Sequence, residues 1–367
     1  MKKIRLAVFF GGITVEHEVS VITGVQLMKH VDRNRYDVTP VYIDKAGKWW
    51  TGADLFESEY YANENLLSPD DLQPFSLSLN AGENSFDVAL LCFHGEYGEA
   101  GSVQGLLELA HIPYQGPGVI SSAIAFDKIV TRQIFDSEKI PQPNFIWFTH
   151  DDWKNRAQEI TEKVAALSYP VFVKPARGGS TVGIEKVKSV AELSNAIERV
   201  LQYDTRVIIE AEVKDCIEIN VSVLGIDGDL RVSVPEQPMK ADEFLSYADK
   251  YQRGGGKKGG MASLNRRIPA PISSHLTLRV QDLAKKLFHL FDCSGVVRID
   301  FFVNPSEESV FVTELNTIPG SMSFYLWEAS GLPYKELINE LVEIAFEKEK
   351  RRSERIQTFE TNILKKV

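Results

Sequence analysis

Residues 296–317 read VVRIDFFVNPSEESVFVTELNT, in which two apolar runs flank the polar hexapeptide NPSEES at 304–309. Runs of this length that are rich in valine and phenylalanine, with a Pro- and Ser-containing break between them, predict two antiparallel strands joined by a hairpin loop. Side chains alternate faces along a strand, so Arg298 and Asp300 share one face of the first strand. The hairpin therefore has a charged face and an apolar face.

The pairing of the two strands predicts a polar patch. If NPSEES is the loop, Asp300 lies about opposite Glu314 and Arg298 about opposite Asn316. Two carboxylates and an amide oxygen are hard ligands that suit magnesium held jointly with substrate phosphates, and an arginine beside them can bind a developing negative charge. The alternative interpretation is an exposed hairpin with a cross-strand salt bridge.

A second signal is the stretch YPVFVKPARGGSTVGIEKV at 169–187. It predicts a strand that ends at Lys174, a turn of small residues at 178–181, and another strand. Small residues let backbone N–H groups approach an anion, and a lysine on an adjacent strand can neutralise phosphate charge. The lysine precedes the glycines, so this is not the GxxxxGK[ST] loop. An ordinary hairpin turn would look much the same.

Other candidates are single polar residues at the ends of predicted strands. Glu210, in VIIEAEV, and Glu218 are acceptors that could read an adenine amino group and ribose hydroxyls. Glu16, in ITVEHEVS, follows the first strand, where ligands often bind, although an acidic helix start is the better explanation from the residues alone. His94 ends another apolar strand and reads either as a satisfied core histidine or as a pocket residue.

The chain is long enough, at 367 residues with 44% hydrophobic content, to bury more than one core. Its patterns divide it into an α/β segment at 1–120, a small mixed segment at 121–211 and a final segment at 212–367. Within the last, residues 240–263 are too polar and glycine-rich for a core element, and we interpret them as a candidate active-site lid. The charge-dense stretch 347–359 predicts a solvated helix.

The composition of the chain limits the classes of molecule that the protein is expected to bind. A formal net charge of −10 argues against a generally basic surface for nucleic acid or anionic lipid. No apolar stretch approaches the length of a membrane span. The three cysteines are widely spaced, which fits reduced thiols in the cytosol better than a disulfide framework or a zinc site. We expect a cytoplasmic protein with small-molecule partners and with neither a nucleic-acid nor a membrane partner.

Taken together, these segments resemble the D-alanine–D-alanine ligase family of the ATP-grasp superfamily, up to about residue 345. The resemblance rests on motifs in the family's order: GG…EHEVS, FHGEYGEAGSVQGLLELAHIPYQGPGV, DKIVTR, YPVFVKPARGGSTVGI, the lid segment KYQ, VRIDFF and ELNTIPG. It implies an α/β, three-domain ATP-grasp fold with an N-terminal Rossmann-like (pre-ATP-grasp) domain, and ATP held between the second and third domains.

The resemblance also implies a role for each matching residue. Expected catalytic residues are Glu16, Ser180, Tyr251, Arg298 and the backbone of Gly320. Expected nucleotide-binding residues are Arg132, Lys174, Glu210, Glu218, Lys250 and Asn316. Expected metal ligands are Asp300, Glu314 and Asn316, for magnesium (two ions, with manganese as an alternative). His94, Tyr325 and Leu326 are expected near the acceptor amino acid. In this scheme Glu16 binds the first substrate's ammonium, and Ser180 and Tyr251 hydrogen-bond to Glu16.

The implied activity is ATP-dependent joining of D-alanine to D-alanine through an acyl phosphate, for peptidoglycan precursor synthesis, by a homodimer. The chain departs from the family pattern at Ala100, Gly178 and Arg132, and above all in PGSMSFYLW, which places Tyr325 where the family has a serine that holds the acceptor's carboxylate. A tyrosine hydroxyl could bind that carboxylate, or the acceptor could differ. The alternatives are a ligase for a mixed D-dipeptide or an L-dipeptide, and a non-catalytic nucleotide-binding regulator.

Overall fold

The computed structural model describes residues 2–62, 72–80, 82–179, 182–239, 266–361 and 363. The predicted lid at 240–263, with Lys250 and Tyr251, and also Ser180, lie outside these residues. The described strands form three main sheets, one within each of the three predicted segments. The exact boundaries between those segments stay a prediction.

The first sheet has the order β4-β3-β2-β1-β5. Its strands are β1 (Ile4–Gly11), β2 (Tyr36–Ile43), β3 (Trp49–Thr51), β4 (Gln73–Pro74) and β5 (Val88–Leu91), and its helices are α1 (His17–His30), α2 (Ser58–Ala62), α3 (Glu96–Glu99), α4 (Ser102–Leu109) and α5 (Val119–Phe126). β1 pairs in parallel with β2 and β5. The helix-starting loop after β1 therefore lies at the carboxyl edge of the sheet, where ligands commonly bind.

The second sheet is antiparallel, in the order β6-β9-β7-β8. Its strands are β6 (Phe145–Thr149), β7 (Val171–Pro175), β8 (Glu185–Val187) and β9 (Arg206–Ala211), and α6 (Lys128–Ser137), α7 (His150–Ala166) and α8 (Val190–Val200) accompany it. A compact apolar core fills the space between this sheet and α7 and α8. The turn predicted to bind phosphate connects β7 with β8.

The third sheet has the order β11-β10-β14-β15. Its strands are β10 (Ile217–Ile226), β11 (Asp229–Val232), β14 (Ser294–Asn304) and β15 (Ser309–Asn316), and the short β12 (Gln237–Pro238) pairs with β13 (Arg266–Arg267) beside it. The predicted hairpin register is confirmed, because Arg298 pairs with Asn316 and Asp300 with Glu314. The alternate residues Val297, Ile299 and Phe301 are fully buried on the opposite face, against helix α9 (Ser274–Leu290).

The C-terminal part of the chain returns to the first core. Helices α10 (Phe324–Ala329) and α11 (Tyr334–Ser353) contribute buried side chains to the cluster around the first sheet. The solvated helix predicted at 347–359 is only partly present, because the helix ends at Ser353 and Lys348 is not fully solvated. Lys348 donates from Nζ to the carbonyl of Gly116 at 2.7 Å and lies 3.4 Å from the centroid of the Tyr114 ring. Charge density alone did not reveal this contact, because a long lysine stem can be buried while its ammonium is satisfied.

Within the residues that the structure describes, no helix is long and apolar enough to cross a membrane.

Candidate active site

The hairpin brings its polar residues to one patch. Arg298 donates from Nε and Nη2 to the two carboxylate oxygens of Asp300 at 2.7 and 2.8 Å, and Asn316 Nδ2 donates to Asp300 Oδ2 at 3.1 Å. The side chains of Arg298 and Asp300 are 12% and 9% exposed. Glu314 lies opposite Asp300 on the neighbouring strand. The alternative of an exposed surface salt bridge is therefore wrong, because the pair is nearly buried.

A β-bulge follows this patch and contacts helix α6. The register of β14 and β15 shifts between Asp300 and Phe301. A bulge interrupts the ladder and leaves backbone groups without a strand partner. Here Arg132 of α6 satisfies two successive carbonyls, donating from Nη1 to Val312 at 2.8 Å and from Nη2 to Thr313 at 3.0 Å. The guanidinium thus joins α6 to β15.

Glu210 on β9 is held by two cations. Its Oε1 accepts from Arg132 Nε at 2.8 Å, and its Oε2 accepts from Lys174 Nζ at 2.6 Å. Burial opposes ionisation of this carboxyl, but the charges of Arg132 and Lys174 outweigh burial and lower the pKa of Glu210 to about 2. The two residues predicted to bind phosphate therefore meet at the carboxylate predicted to read adenine. Glu218 lies on the neighbouring strand β10.

The predicted donor residue Glu16 lies against the predicted phosphate turn. It precedes α1, is 5% exposed, and a Cβ placed on Gly179 would lie only 2.2 Å from its Oε2. Only a glycine leaves room for this approach. A residue that follows the first strand of the chain thus meets a turn that lies more than a hundred residues later, as the predicted pair of Glu16 and Ser180 requires.

Sequence reasoning missed two charged residues beside this contact. Glu99, at the end of α3, accepts from the backbone N–H of Gly95 at 2.6 Å. Burial, followed by the negative charge of Glu16, raises the pKa of Glu99 well above its ordinary value. Lys128 donates from Nζ to the carbonyl of Gly178 at 2.5 Å. The motifs HGEYGE and DKIVTR contain both residues, but no periodicity indicated where their side chains would point.

The buried imidazole of His94 is hydrogen-bonded, and it lies within the electrostatic influence of Arg298. Its Nε2 lies 3.0 Å from Thr23 Oγ1. Burial, reinforced by the positive charge of Arg298, lowers the pKa of His94 to about 3, so the imidazole is neutral near pH 7. The structure agrees with the interpretation as a hydrogen-bonded core histidine, and its place near the acceptor stays a prediction.

The segment PGSMSFYLW forms a strained turn. After Gly320, Ser321, Met322 and Ser323 have φ of 50°, 55° and 50°, in the left-handed region. Three successive residues other than glycine in this region carry a backbone cost that the surroundings must offset. Ser321 does so by donating from Oγ to Gln26 Oε1 at 2.7 Å and from its backbone N–H to Thr23 Oγ1 at 3.3 Å.

Tyr325 and Leu326 follow this turn on α10. Leu326 is fully buried, and Tyr325 is 8% exposed. The Tyr325 hydroxyl donates to Glu236 Oε1 at 2.9 Å. Its proton is therefore directed at a protein carboxylate. Sequence reasoning missed Glu236 as its partner, because the two residues are far apart in the chain.

The donor set of the hairpin fits a hard cation. Asp300, Glu314 and Asn316 supply two carboxylates and an amide on one face, the oxygen ligands that magnesium prefers. Within the described ranges, no group of three or more His, Cys, Asp and Glu side chains could hold a metal ion. The predicted site does not depend on such a group, since its third ligand is an amide oxygen.

Family models match both halves of the chain. The family model described as "D-ala D-ala ligase N-terminus" matches residues 5–117, and the one described as "D-ala D-ala ligase C-terminus" matches residues 134–343. A D-alanine--D-alanine ligase of Thermosipho africanus is 37% identical over 369 residues, which cover 98% of each chain. One of Caldicellulosiruptor bescii is 38% identical over 365 residues, which cover 96% of this chain and 98% of the relative.

Solved structures share the architecture. The D-alanine-D-alanine ligase from Coxiella burnetii superimposes with a TM-score of 0.80 at 27% identity, covering 96% of this chain and 97% of the other. The VanG D-Ala:D-Ser ligase from Enterococcus faecalis superimposes with a TM-score of 0.78 at 28% identity, covering 94% of this chain and all of the other. These two neighbours bear names with different second substrates.

Proposed function

The chain belongs to the D-alanine–D-alanine ligase family of the ATP-grasp superfamily, and from this premise we propose how its residues join two D-alanine molecules with ATP. The products are D-alanyl-D-alanine, ADP and phosphate. The observation that carries the proposal is the convergence of Arg298, Asp300 and Asn316 on one face of the hairpin, where a carboxylate, a nucleotide's terminal phosphate and a developing oxyanion can meet.

The first substrate is held by Glu16. A buried carboxylate at this position gives the substrate's ammonium a strong partner and directs its carboxylate toward the nucleotide. A free carboxylate resists nucleophilic attack because it is itself an anion, so it is first phosphorylated by ATP to an acyl phosphate. Lys174, beside the glycine turn, offsets the negative charge that gathers during this transfer.

The second step uses the arginine of the hairpin. The amine of the acceptor attacks the acyl phosphate carbon, and Arg298 together with the backbone N–H of Gly320 stabilises the oxyanion that forms before phosphate leaves. The contact with Asp300 orients the guanidinium before substrate arrives. Because the arginine is nearly buried, its charge acts with little screening by water.

Magnesium, bound by Asp300, Glu314 and Asn316, would supply charge neutralisation on the phosphates. Two magnesium ions are proposed, with manganese as an alternative. Ser180, Lys250 and Tyr251 keep their proposed roles near Glu16 and the nucleotide, outside the described residues. The closing role of residues 240–263 also stays a prediction.

The geometry changes the proposed role of Arg132. Its guanidinium is 3% exposed and donates to Glu210 and to two carbonyls of β15. We propose that it acts chiefly by orienting Glu210, and through Glu210 the ammonium of Lys174, toward the nucleotide. Glu210 and Glu218 remain the proposed acceptors for adenine and ribose.

We propose that the product, D-alanyl-D-alanine, is used for the synthesis of peptidoglycan precursors and that the enzyme acts in the cytoplasm. The homodimer implied by the resemblance stays a prediction. A non-catalytic regulator is disfavoured, because nucleotide binding alone requires neither the oriented Arg298 nor a set of metal ligands. Tyr325 replaces the family's serine, and this replacement supports a second candidate function, a ligase that uses another D-amino acid as the acceptor.

The test is ATP turnover with a panel of amino acids. We expect phosphate release with D-alanine alone, no release with L-alanine, and D-alanyl-D-alanine as the product identified by mass. Adding hydroxylamine at low D-alanine should trap the acyl phosphate as a hydroxamate. Turnover that requires a different second amino acid would support the second candidate, and release without any dipeptide or hydroxamate would refute a ligase.

A further inference from the structure

We propose that Arg266 binds the carboxylate of the acceptor amino acid, and that Glu236 and the ring of Tyr325 hold it in place beside Arg298. The inference rests on the proposed function and names the residue that recognises the second substrate. It differs from one of the two alternatives that the sequence left open, in which the Tyr325 hydroxyl binds the acceptor's carboxylate in place of the family's serine.

Arg266 is held in a defined position from two sides. Its Nη1 donates to Glu236 Oε2 at 3.0 Å, and its guanidinium carbon lies 3.6 Å from the centroid of the Tyr325 ring. A guanidinium stacked at this distance has its flat face on the ring and its N–H groups directed outward in the plane of the stack. The side chain is 11% exposed, so this is a nearly buried cation.

Glu236 is the anchor of the cluster. It is 1% exposed, and besides Arg266 it accepts from the Tyr325 hydroxyl at 2.9 Å and from Asn220 Nδ2 at 3.1 Å. Among the residues that the structure describes, its negative charge is thus shared between one cation and two neutral donors. The hydroxyl that donates to Glu236 directs its lone pairs, rather than its proton, toward any further ligand, and an oxygen lone pair repels a carboxylate.

The cluster lies next to the reaction centre. Asn220 on β10 pairs with Asp300 on β14, so their side chains project from the same face of the sheet. Asn220 also exchanges backbone hydrogen bonds with Glu236, at 3.0 and 2.9 Å. Tyr325 and Glu236 both contribute to the electrostatic surroundings of Arg298. An amino acid whose amine attacks beside Arg298 therefore has its carboxylate within the neighbourhood of this cluster.

A second cation at this place would offset the charge of the acceptor. The acceptor brings a carboxylate into a nearly buried pocket, where an unpaired negative charge is strongly unfavourable. Arg298 is engaged by both oxygens of Asp300 and is assigned to the oxyanion. Arg266 is a nearly buried cation on the same side of the sheet, and a planar guanidinium matches the geometry of a carboxylate.

The experiment is a competition between two acceptors in one reaction. D-alanine serves as the donor, D-alanine and D-alaninamide compete as acceptors, and the ratio of the two dipeptide products is read by mass. The parent should strongly favour the acceptor with a carboxylate. Arg266→Met should lower the preference by about 10- to 100-fold, because it removes a hydrogen-bonded charge pair. Arg267→Met, which removes the adjacent exposed arginine, is the matched control and should leave the preference unchanged.

Tyr325→Phe tests whether Arg266 or the Tyr325 hydroxyl binds the carboxylate of the acceptor. It keeps the ring on which Arg266 stacks and removes only the hydroxyl, so the preference should be retained. A loss of preference in Tyr325→Phe equal to that in Arg266→Met would overturn the proposal in favour of the hydroxyl. Arg266→Lys keeps the charge and should retain part of the preference, which provides a readout even if the methionine variant fails to fold.

A separate measurement distinguishes this inference from the proposed function. Hydroxylamine trapping at low D-alanine reports the acyl phosphate without an acceptor, and its yield should be equal in the parent and in Arg266→Met. If the parent forms no hydroxamate, the ligase mechanism itself fails. If both form it and the Arg266 variants keep the full preference for D-alanine over D-alaninamide, only the assignment of Arg266 is wrong.

Discussion

Arg298 and Asp300 lie two residues apart on β14, and two hydrogen bonds of 2.7 and 2.8 Å join the guanidinium edge to both carboxylate oxygens. Residues at this spacing project from the same face of a strand, so the pair is a direct product of strand geometry. Asp300 is also a proposed metal ligand. The residue that would hold the metal therefore orients the residue that would receive the oxyanion.

Replacement of Arg298 should separate chemistry from nucleotide binding. Arg298→Ala should lower kcat by at least about 100-fold, the usual loss when one oxyanion donor is removed. Its nucleotide affinity should be unchanged, because Lys174 and the glycine turn are intact. Phosphate release gives kcat, and calorimetric titration gives the affinity for ATP. Arg279→Ala, which removes an exposed arginine of α9, is the control. Parent-like turnover in Arg298→Ala would refute the oxyanion role.

Arg132 should contribute far more to stability than an exposed arginine of the same part of the chain. Arg132→Ala leaves Glu210 buried with one cation fewer and two carbonyls of the bulge without their donor. We expect a loss of about 3–5 kcal/mol in the free energy of unfolding. Arg199→Ala breaks the exposed pair with Glu185 and should cost far less, because water screens an exposed ion pair. Urea denaturation measures both, and equal losses would contradict the structural role.

Glu210 should make stability sensitive to acid. Its pKa falls from an ordinary value of 4.5 to about 2 in the folded protein. Such a carboxyl stabilises the fold fully above its unfolded pKa, and this contribution is lost as the pH falls through the folded value. The difference in unfolding free energy between the parent and Glu210→Gln should therefore narrow as the pH is lowered from 4.5 toward 2. Urea denaturation at successive pH values measures this difference, and a constant difference would count against the ion pairs of Glu210 with Arg132 and Lys174.

Gly179 should matter for substrate binding more than for folding. A Cβ at this position would lie 2.2 Å from Glu16 Oε2, the mobile end of a side chain, so the carboxylate can move aside at little cost to the fold. Gly179→Ala should keep its Tm but raise the KM for D-alanine as donor, by about tenfold if a charged hydrogen bond is lost. Gly105→Ala, whose Cβ would make an ordinary contact with Val119, is the control. An unchanged KM would show that Glu16 does not bind the donor D-alanine.

Local sequence patterns were sufficient to predict the hairpin and its strand register. The loop NPSEES and the alternation of charged and apolar residues around Arg298 and Asp300 predicted the pairing with Asn316 and Glu314, and the structure has that register. In the second segment, helices α7 and α8 were not predicted, although both are long. The short strands β3 and β4 were missed, since three and two residues carry no usable pattern.

Amino-acid sequence alone thus determined the family and the patch of the hairpin, because these depend on residue spacing within single segments. Tertiary structure alone decided that Arg132 satisfies a bulge, that Tyr325 donates to Glu236, that Arg266 stacks on Tyr325, and that Glu99 lies near Glu16. These partners come from distant segments. Their meeting depends on how three cores pack together, and a period of two or 3.6 residues carries no information about that.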